Sequence, residues 1–167
     1  VLKNNSPRGG LLAVLAVALT IVATDQVSSH LIKPLVGRLR PCNDPTIMHL
    51  IDTVNGYRSG GYSFTSSHAC NSFGIFTIVS LIVRNRALSL SLLFWACINS
   101  FSRIYLGVHF PGDILCGAIA GTLVATLMYL VYGFVRKKID CQTVRITANY
   151  TRSGYLVDDV RLMTASM

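Results

Sequence analysis

Charged residues are scarce in this chain, and their scarcity indicates its class. Only 13% of the 167 residues are charged and 51% are hydrophobic, with a mean hydropathy of +0.51. Soluble domains carry about 25% charged residues, so the composition favours a membrane protein. The net charge of +8 does not indicate a nucleic-acid partner, because Lys and Arg cluster between apolar runs instead of lining one exposed face.

The five cysteines match neither a disulfide framework nor a zinc motif. Cys70, Cys97 and Cys116 lie in apolar runs, where a thiol behaves as a small hydrophobe. Cys42 and Cys141 are predicted on opposite sides of the membrane, so they cannot pair within one chain. CxxC and Cys/His zinc spacings are absent, and we expect neither a metal nor another cofactor.

Four apolar stretches are candidates for membrane helices, which need about 20 residues. They cover residues 11–32, 66–83, 87–102 and 111–135. The first is interrupted by Asp25, and the short third is expected to continue past Arg103. The sequence therefore predicts an all-α integral membrane bundle in residues 1–138, followed by a polar tail, 139–167, to which we assign no role.

The orientation follows from Lys and Arg in short flanks, which mark the cytoplasmic side. One side carries Lys3, Arg8, Arg84, Arg86, Arg136, Lys137 and Lys138. Basic residues on the other side belong mostly to the motifs described below. We therefore expect those motifs at the external face, which in a bacterial inner membrane is the periplasmic face.

The segments between and within these helices give further expectations. The Arg84-Asn-Arg86 turn predicts an antiparallel hairpin. Gly117 and Gly121 form a GxxxG pattern that permits close helix packing, although the general abundance of glycine in membrane helices explains it equally well. The polar loop over residues 38–61 is interpreted as a lid or vestibule. Asn149 begins a glycosylation pattern on the predicted cytoplasmic side, which we attribute to chance.

His109 and Asp113 are four positions apart, with Pro111 suited to the first position of a helix. Asp113 is then in the first turn, where it can orient one ring nitrogen of His109 and leave the other free to attack. For this pair alone, an equally good explanation is that Asp113 favours a helix N-terminus beside an interfacial histidine.

His68 follows Thr65, Ser66 and Ser67 at the start of the second apolar segment. Hydroxyl residues there usually cap a helix, and that interpretation is favoured for the stretch alone. A helix N-terminus also binds anions. An imidazole with an ordinary pKa of about 6.5 can act there as a general acid.

Three cations complete the set: Lys33, Arg40 and Arg103. Each alone is explained as an interfacial cation at a helix end. Arginine binds phosphate through two N–H groups and lysine adds a point charge. Phosphoryl transfer spreads negative charge over oxygens that such cations stabilise. Together on one membrane face, the cations and imidazoles predict phosphate chemistry.

At these residues the sequence resembles the type 2 phosphatidic acid phosphatase family, which also includes acid phosphatases and vanadium haloperoxidases. The family's first motif is a Lys and an Arg-Pro separated by six residues, matched by Lys33 and Arg40-Pro41. Its third is Ser-Arg, five residues, His, three residues and Asp, matched by Ser102-Arg103, His109 and Asp113.

The second motif of the family, Pro-Ser-Gly-His, is only partly kept. This chain has Thr65 in place of Pro and Ser67 in place of Gly, and retains Ser66 and His68. The resemblance covers residues 25–133. Membrane members are similar in having six helices, of which this chain matches the last four, so we expect two N-terminal helices to be missing from this sequence or absent.

The resemblance implies a metal-independent reaction. His109 would be the nucleophile that forms a phosphohistidine, Asp113 would orient it, and His68 would protonate the leaving group. The phosphate would be held by Lys33, Arg40, Ser66, Ser67 (through its backbone N–H) and Arg103.

The implied partner is a membrane lipid phosphate or diphosphate in the bilayer. Phosphatidate, phosphatidylglycerol phosphate, undecaprenyl diphosphate and the lipid A phosphates all remain candidates, and the oligomeric state stays open. A catalytically silent protein that binds phospholipid head groups is the alternative, suggested by the altered second motif. A vanadate-binding oxidase fits less well, because those relatives are soluble and larger.

Overall fold

The computed structural model describes residues 7–138, which form helices, turns and loops without a strand. The α-helices are α1 (Pro7–Gln26), α2 (Lys33–Val36), α3 (Ser67–Val83), α4 (Arg86–Tyr105) and α5 (Pro111–Lys138). A π-helical stretch, Val27–Ile32, joins α1 to α2. The predicted all-α class is confirmed. The tail, with Cys141 and Asn149, lies outside the described residues.

Three helical spans are long and apolar enough to cross a membrane, and α3 is a shorter apolar helix. The long spans are Gly9–Val36, Arg86–Tyr105 and Pro111–Lys138. α4 passes Arg103 as expected. The first span continues through Asp25 and beyond the predicted end, so Lys33 lies within a helix instead of after it.

The connection between α3 and α4 is the predicted tight hairpin. Arg84 adopts a left-handed backbone conformation (φ 53°), and its N–H donates to Ser80 O at the end of α3. Asn85 caps the next helix, since its side chain accepts from the N–H of Leu88. The chain therefore reverses within two residues, which places α4 antiparallel to α3.

α3 and α5 approach each other backbone to backbone at two glycines. A Cβ on Gly117 would lie 2.6 Å from Ser66 O, and one on Gly121 would overlap the carbonyl group of Cys70. Any larger residue at either position would force the two helices apart. The close-packing interpretation of the GxxxG pattern is therefore confirmed.

A stripe of buried hydroxyl groups lines the face of the first span that meets α3. Thr20, Thr24 and Ser28 are spaced four residues apart, which places them on one face of the helix. Thr24 donates to Asn71 Oδ1 at 2.7 Å, and Ser28 donates to Ser67 Oγ at 2.8 Å. Such hydrogen bonds help to associate helices in an apolar medium.

We predict that Gly121→Ala destabilises the protein, because the added methyl group meets the Cys70 backbone. Overpacking of this kind costs about 1–3 kcal/mol. Gly133→Ala is the matched control: nothing lies within 4 Å of its Cβ position, and Ala is favoured over Gly in a helix. Thermal unfolding in detergent should show a lower Tm for Gly121→Ala alone. Equal Tm values for the two variants would contradict the packing argument.

Candidate active site

The fold brings four helix ends to one side of the bundle. They are the C-terminal ends of α2 and α4 and the N-terminal ends of α3 and α5. The N–H of Ser66, before α3, donates to Asp113 O in α5 at 3.1 Å, and the N–H of Ser63 donates to Arg38 O at 2.8 Å. The motifs that the sequence placed on one face therefore lie together.

His109 and Asp113 form a buried pair, with relative exposures of 4% and 0%. His109 Nδ1 lies 3.5 Å from Asp113 Oδ2, so the carboxylate does reach back to the ring as expected. Ser63 Oγ lies 3.3 Å from the same nitrogen and donates to the same carboxylate oxygen at 2.5 Å. The Nδ1 side of the imidazole ring thus contacts two oxygen atoms, Ser63 Oγ and Asp113 Oδ2.

Arg40 meets the opposite nitrogen of the ring. Its Nη1 lies 3.2 Å from His109 Nε2, and it also donates to Val108 O at 3.3 Å. A guanidinium group can only donate, so Nε2 must be the accepting, unprotonated nitrogen. The network therefore assigns the proton to Nδ1 and the lone pair to Nε2.

The surroundings of His109 favour its neutral form. Burial lowers the pKa of His109 below its ordinary value of about 6.5, and the nearby charge of Arg40 lowers it further. The hydrogen bond to Asp113 acts in the opposite direction and raises this pKa, but less strongly than burial lowers it. At neutral pH the ring is uncharged and Nε2 carries a lone pair.

Two residues of this cluster were not predicted from the sequence. Arg38 Nη1 donates to Asp113 Oδ1 at 3.3 Å, and its guanidinium stacks 3.8 Å from the centre of the Phe110 ring. Ser63 is fully buried between His109 and Asp113. Arg38 could have been suspected, since it lies between the motif residues Lys33 and Arg40, but no local pattern singles out Ser63.

The N-terminus of α3 is capped and yet keeps free donors. Ser66 Oγ accepts from the N–H of Ala69 at 3.4 Å, which is the capping role expected of it. The N–H groups of Ser67 and His68 donate to no acceptor within residues 7–138. Free N–H groups at a helix start favour an anion.

The departure of Ser67 from the family motif is accommodated on the side away from these donors. Its hydroxyl accepts from Ser28 Oγ at 2.8 Å and lies 3.1 Å from Ser29 Oγ. Both partners belong to the π-helical stretch of the first span. The hydroxyl of Ser67 is therefore accommodated between the π-helical stretch and α3, and its backbone N–H stays available.

The remaining predicted residues surround this centre. His68 is exposed and interacts electrostatically with Arg103, His109, Lys33 and Arg40. Arg103 is partly buried near the end of α4, with its Nε donating to Ser102 Oγ at 3.1 Å. The structure thus groups all the predicted site residues, and direct contacts join His109, Asp113 and Arg40.

The loop over residues 38–61 packs beside the site. Arg40 Nε donates to Gly60 O at 3.0 Å, and Asn43 Nδ2 donates to Ser59 O at 2.8 Å, so the two ends of the loop are tied together. Gly107, before His109, lies close to Ile51, since a Cβ there would be 2.8 Å from Ile51 Cγ2. A lid or vestibule role for this loop stays a prediction.

The chain matches a known family. The family model described as "PAP2 superfamily" matches residues 11–137, which is most of the chain. The chain belongs to the PAP2 superfamily. The resemblance found in its three motifs is thereby confirmed. With its apolar helices, this PAP2 chain is an integral membrane protein.

Two curated relatives have the same name, "Lipid A 4'-phosphatase". The relative from Bacteroides thetaiotaomicron is 45% identical over 131 residues, covering 78% of this chain and 58% of its own length. That from Porphyromonas gingivalis is 34% identical over 160 residues, covering 94% of this chain and 65% of its own length. The chain thus spans about three fifths of these two relatives.

Among solved structures, the chain is similar to a transmembrane PAP2-type phosphatidylglycerolphosphate phosphatase from Bacillus subtilis. The TM-score is 0.47 at 24% identity, and the match covers 77% of this chain and 59% of that one.

We predict that the imidazole of His109 carries its proton on Nδ1 and titrates below pH 6.5, and that Asp113→Asn lowers its pKa further. The sign follows from Asp113, whose hydrogen bond raises this pKa. Nitrogen-15 NMR titration of the protein in detergent measures both properties. Asp52→Asn, an exposed carboxylate in the neighbouring loop, is the control and should leave the titration unchanged. A pKa that rises in Asp113→Asn would contradict the assignment.

Proposed function

We propose that this protein hydrolyses the phosphate group of a membrane lipid, with His109 as nucleophile. The observation that carries the proposal is the pairing at Nε2. An unprotonated ring nitrogen lies 3.2 Å from a guanidinium group, with Asp113 and Ser63 holding the other side of the ring. A nucleophile and an anion-binding cation at this spacing suit attack on phosphorus.

In the first step, Nε2 of His109 attacks phosphorus and the bond from phosphorus to the leaving oxygen breaks. Arg40 turns its N–H from Nε2 to a phosphate oxygen, which frees the lone pair. Protonated His68 gives its proton to the leaving oxygen, and the alcohol departs. The phosphorylated ring becomes cationic, and the Asp113 carboxylate stabilises it through Nδ1–H.

In the second step, water attacks the phosphohistidine. Neutral His68 accepts a proton from the water, the N–P bond breaks, and inorganic phosphate leaves. Throughout both steps the phosphate oxygens are held by Lys33, Arg40, Arg103 and the N–H groups at the start of α3, with Ser66 and Ser67 contributing there. This cationic and N–H-rich environment stabilises the charge of the transition state.

The proposed substrate is a lipid A phosphate. The two relatives with this activity in their names are 45% and 34% identical to the chain. The cation-rich centre lies at the ends of apolar helices, where a lipid head group meets the membrane surface. Phosphatidate, phosphatidylglycerol phosphate and undecaprenyl diphosphate are comparison substrates.

We further propose that the site faces the periplasm across a bacterial inner membrane. The opposite end of the bundle carries Arg84 and Arg86 in the α3–α4 turn and Arg136, Lys137 and Lys138 at the end of α5. Arg84 Nη2 donates to Tyr129 Oη at 3.2 Å, which supports one common basic end. Basic flanks of this kind mark the cytoplasmic side.

We predict that His109→Ala abolishes phosphate release from 4'-phosphorylated lipid A in detergent, and that EDTA leaves the wild-type rate unchanged. The variant removes the attacking nitrogen, and no step requires a metal. Ser91→Ala, on the exposed side of α4, is the control and should keep wild-type activity. Residual activity in His109→Ala would defeat the mechanism. Wild-type protein that binds but does not hydrolyse lipid phosphates would favour the silent head-group binder.

We predict that the cost of His68→Ala depends on the leaving group. Lipid phosphate hydrolysis should fall by about 10²–10⁴, the usual contribution of a general acid. Hydrolysis of p-nitrophenyl phosphate should fall much less, because its leaving group needs little protonation. The ratio of the two kcat/KM values measures this difference. Equal losses on the two substrates would contradict the role of His68 as acid.

We predict that a green fluorescent protein fused after Lys138 is fluorescent in bacterial cells, because the proposed topology puts the end of α5 in the cytoplasm. A fusion in the loop at Gly56, on the site side, should be translocated across the membrane and stay dark, because green fluorescent protein exported in this way does not become fluorescent. Fluorescence of the loop fusion alone would place the site in the cytoplasm and leave the catalytic proposal intact.

A further inference from the structure

A cavity lined largely by polar residues opens beside His68, and His109 is not among the residues that line it. Its volume is about 200 Å³, which is the space of roughly seven water molecules and enough for one ring-sized group. It lies between the first span, α3 and α4. Its polar lining comprises Asp25, Ser67, His68, Asn71, Ser72 and Asn99, with Trp95 beside them. Of these residues, only Ser67 and His68 have a role in the mechanism above.

The hydrogen bonds that join the helices use only part of this polar lining. Asn71 donates to Asp25 Oδ1 at 3.4 Å, and Asn99 donates to Ser72 Oγ at 2.6 Å. Within residues 7–138, Asp25 Oδ2 and Asn99 Oδ1 accept no hydrogen bond, and Trp95 Nε1 donates none. Polar groups inside a membrane are expensive unless they are satisfied and are commonly functional.

The cavity lies where the leaving group must go. In-line transfer places the departing oxygen opposite the attacking nitrogen, and His68 is the group that meets that oxygen. The alcohol attached to it therefore extends past His68, into the space lined by Asn71 and Asn99. We propose that this cavity is the subsite for the alcohol half of the substrate, and that it selects a sugar ring bearing hydroxyl or amide groups. This inference rests on the proposed function.

The chemistry of the lining separates the candidate lipids. The free acceptors on Asp25 and Asn99 need donors, which a sugar supplies through O–H and N–H groups. The glycerol esters of phosphatidate supply only acceptors. In a diphosphate substrate the leaving group is itself a phosphate, and the Asp25 carboxylate repels it. Trp95 adds a flat apolar wall together with one N–H donor.

The same helix faces continue from the cavity into an apolar groove. Below Asp25 the first span presents Ala18 and Val14, and below Asn71 α3 presents Val79 and Ile82. From Asp25 to Val14 the helix rises about 16 Å, close to the thickness of one leaflet of the hydrocarbon core, about 15 Å. A sugar in the cavity therefore has apolar surface beside it for an acyl chain.

The test compares two substrates in one preparation of purified full-length protein in detergent. Phosphate release is measured from 4'-phosphorylated lipid A, whose leaving group is an acylated glucosamine, and from phosphatidate of matched acyl length. We expect Asn99→Leu to lower the lipid A to phosphatidate ratio of kcat/KM at least about tenfold, the usual effect of leaving a bound polar group unpaired. Because both substrates report on the same folded molecules, the ratio is independent of the folded fraction.

Two further variants sharpen the test. Asp25→Asn removes the charge and should also raise the relative kcat/KM for undecaprenyl diphosphate. Ser91→Ala, on the same helix as Asn99 but facing outward, is the control and should leave every ratio unchanged.

The outcomes separate this inference from the phosphatase proposal. Unchanged ratios in Asn99→Leu and Asp25→Asn would overturn the sugar subsite, as would a wild-type preference for phosphatidate, and in either case the phosphatase activity would stand. No hydrolysis of any lipid by the wild type would defeat the proposed function itself and the subsite with it.

Discussion

The contact between α3 and α5 sets the geometry of the whole site. His68 lies in the first turn of α3 and Asp113 in the first turn of α5, so the separation of the two backbones fixes the distance between the site's two halves. That separation is possible only because Gly117 and Gly121 present no side chain to the facing carbonyl groups. The bond from Ser66 N–H to Asp113 O then locks the helix starts together.

Burial of His109 gives the site its chemical character. A histidine in water at neutral pH is partly protonated, and a protonated ring cannot attack. Here, desolvation lowers its pKa while Asp113 limits the decrease, so the ring stays neutral and still oriented. In the free protein, Arg40 Nη1 donates to the lone pair of His109 Nε2. In the proposed mechanism, an arriving phosphate competes for the same N–H group, so that anion binding frees the lone pair of His109.

The altered second motif shows how a small sequence departure is compensated elsewhere. Ser67 adds a hydroxyl where the family has glycine, close to the expected phosphate position. The π-helical stretch of the first span places Ser28 and Ser29 within hydrogen-bond distance of the Ser67 hydroxyl. π-Helical turns occur often at functional sites, and this one keeps the α3 N-terminus open while holding α1 against it.

The sequence alone determined the helical segments, the hairpin and the grouping of motif residues at one end of the bundle. These follow from apolar lengths, helix-start residues and short spacings such as that between His109 and Asp113. Only the tertiary structure decided the place of Ser63 and Arg38, the tautomer of His109 and the polar cavity beside His68. Each depends on residues far apart in the chain, such as Arg40 and His109, which are 69 positions apart. No local pattern encodes such distances, because they are fixed by how closely the helices pack.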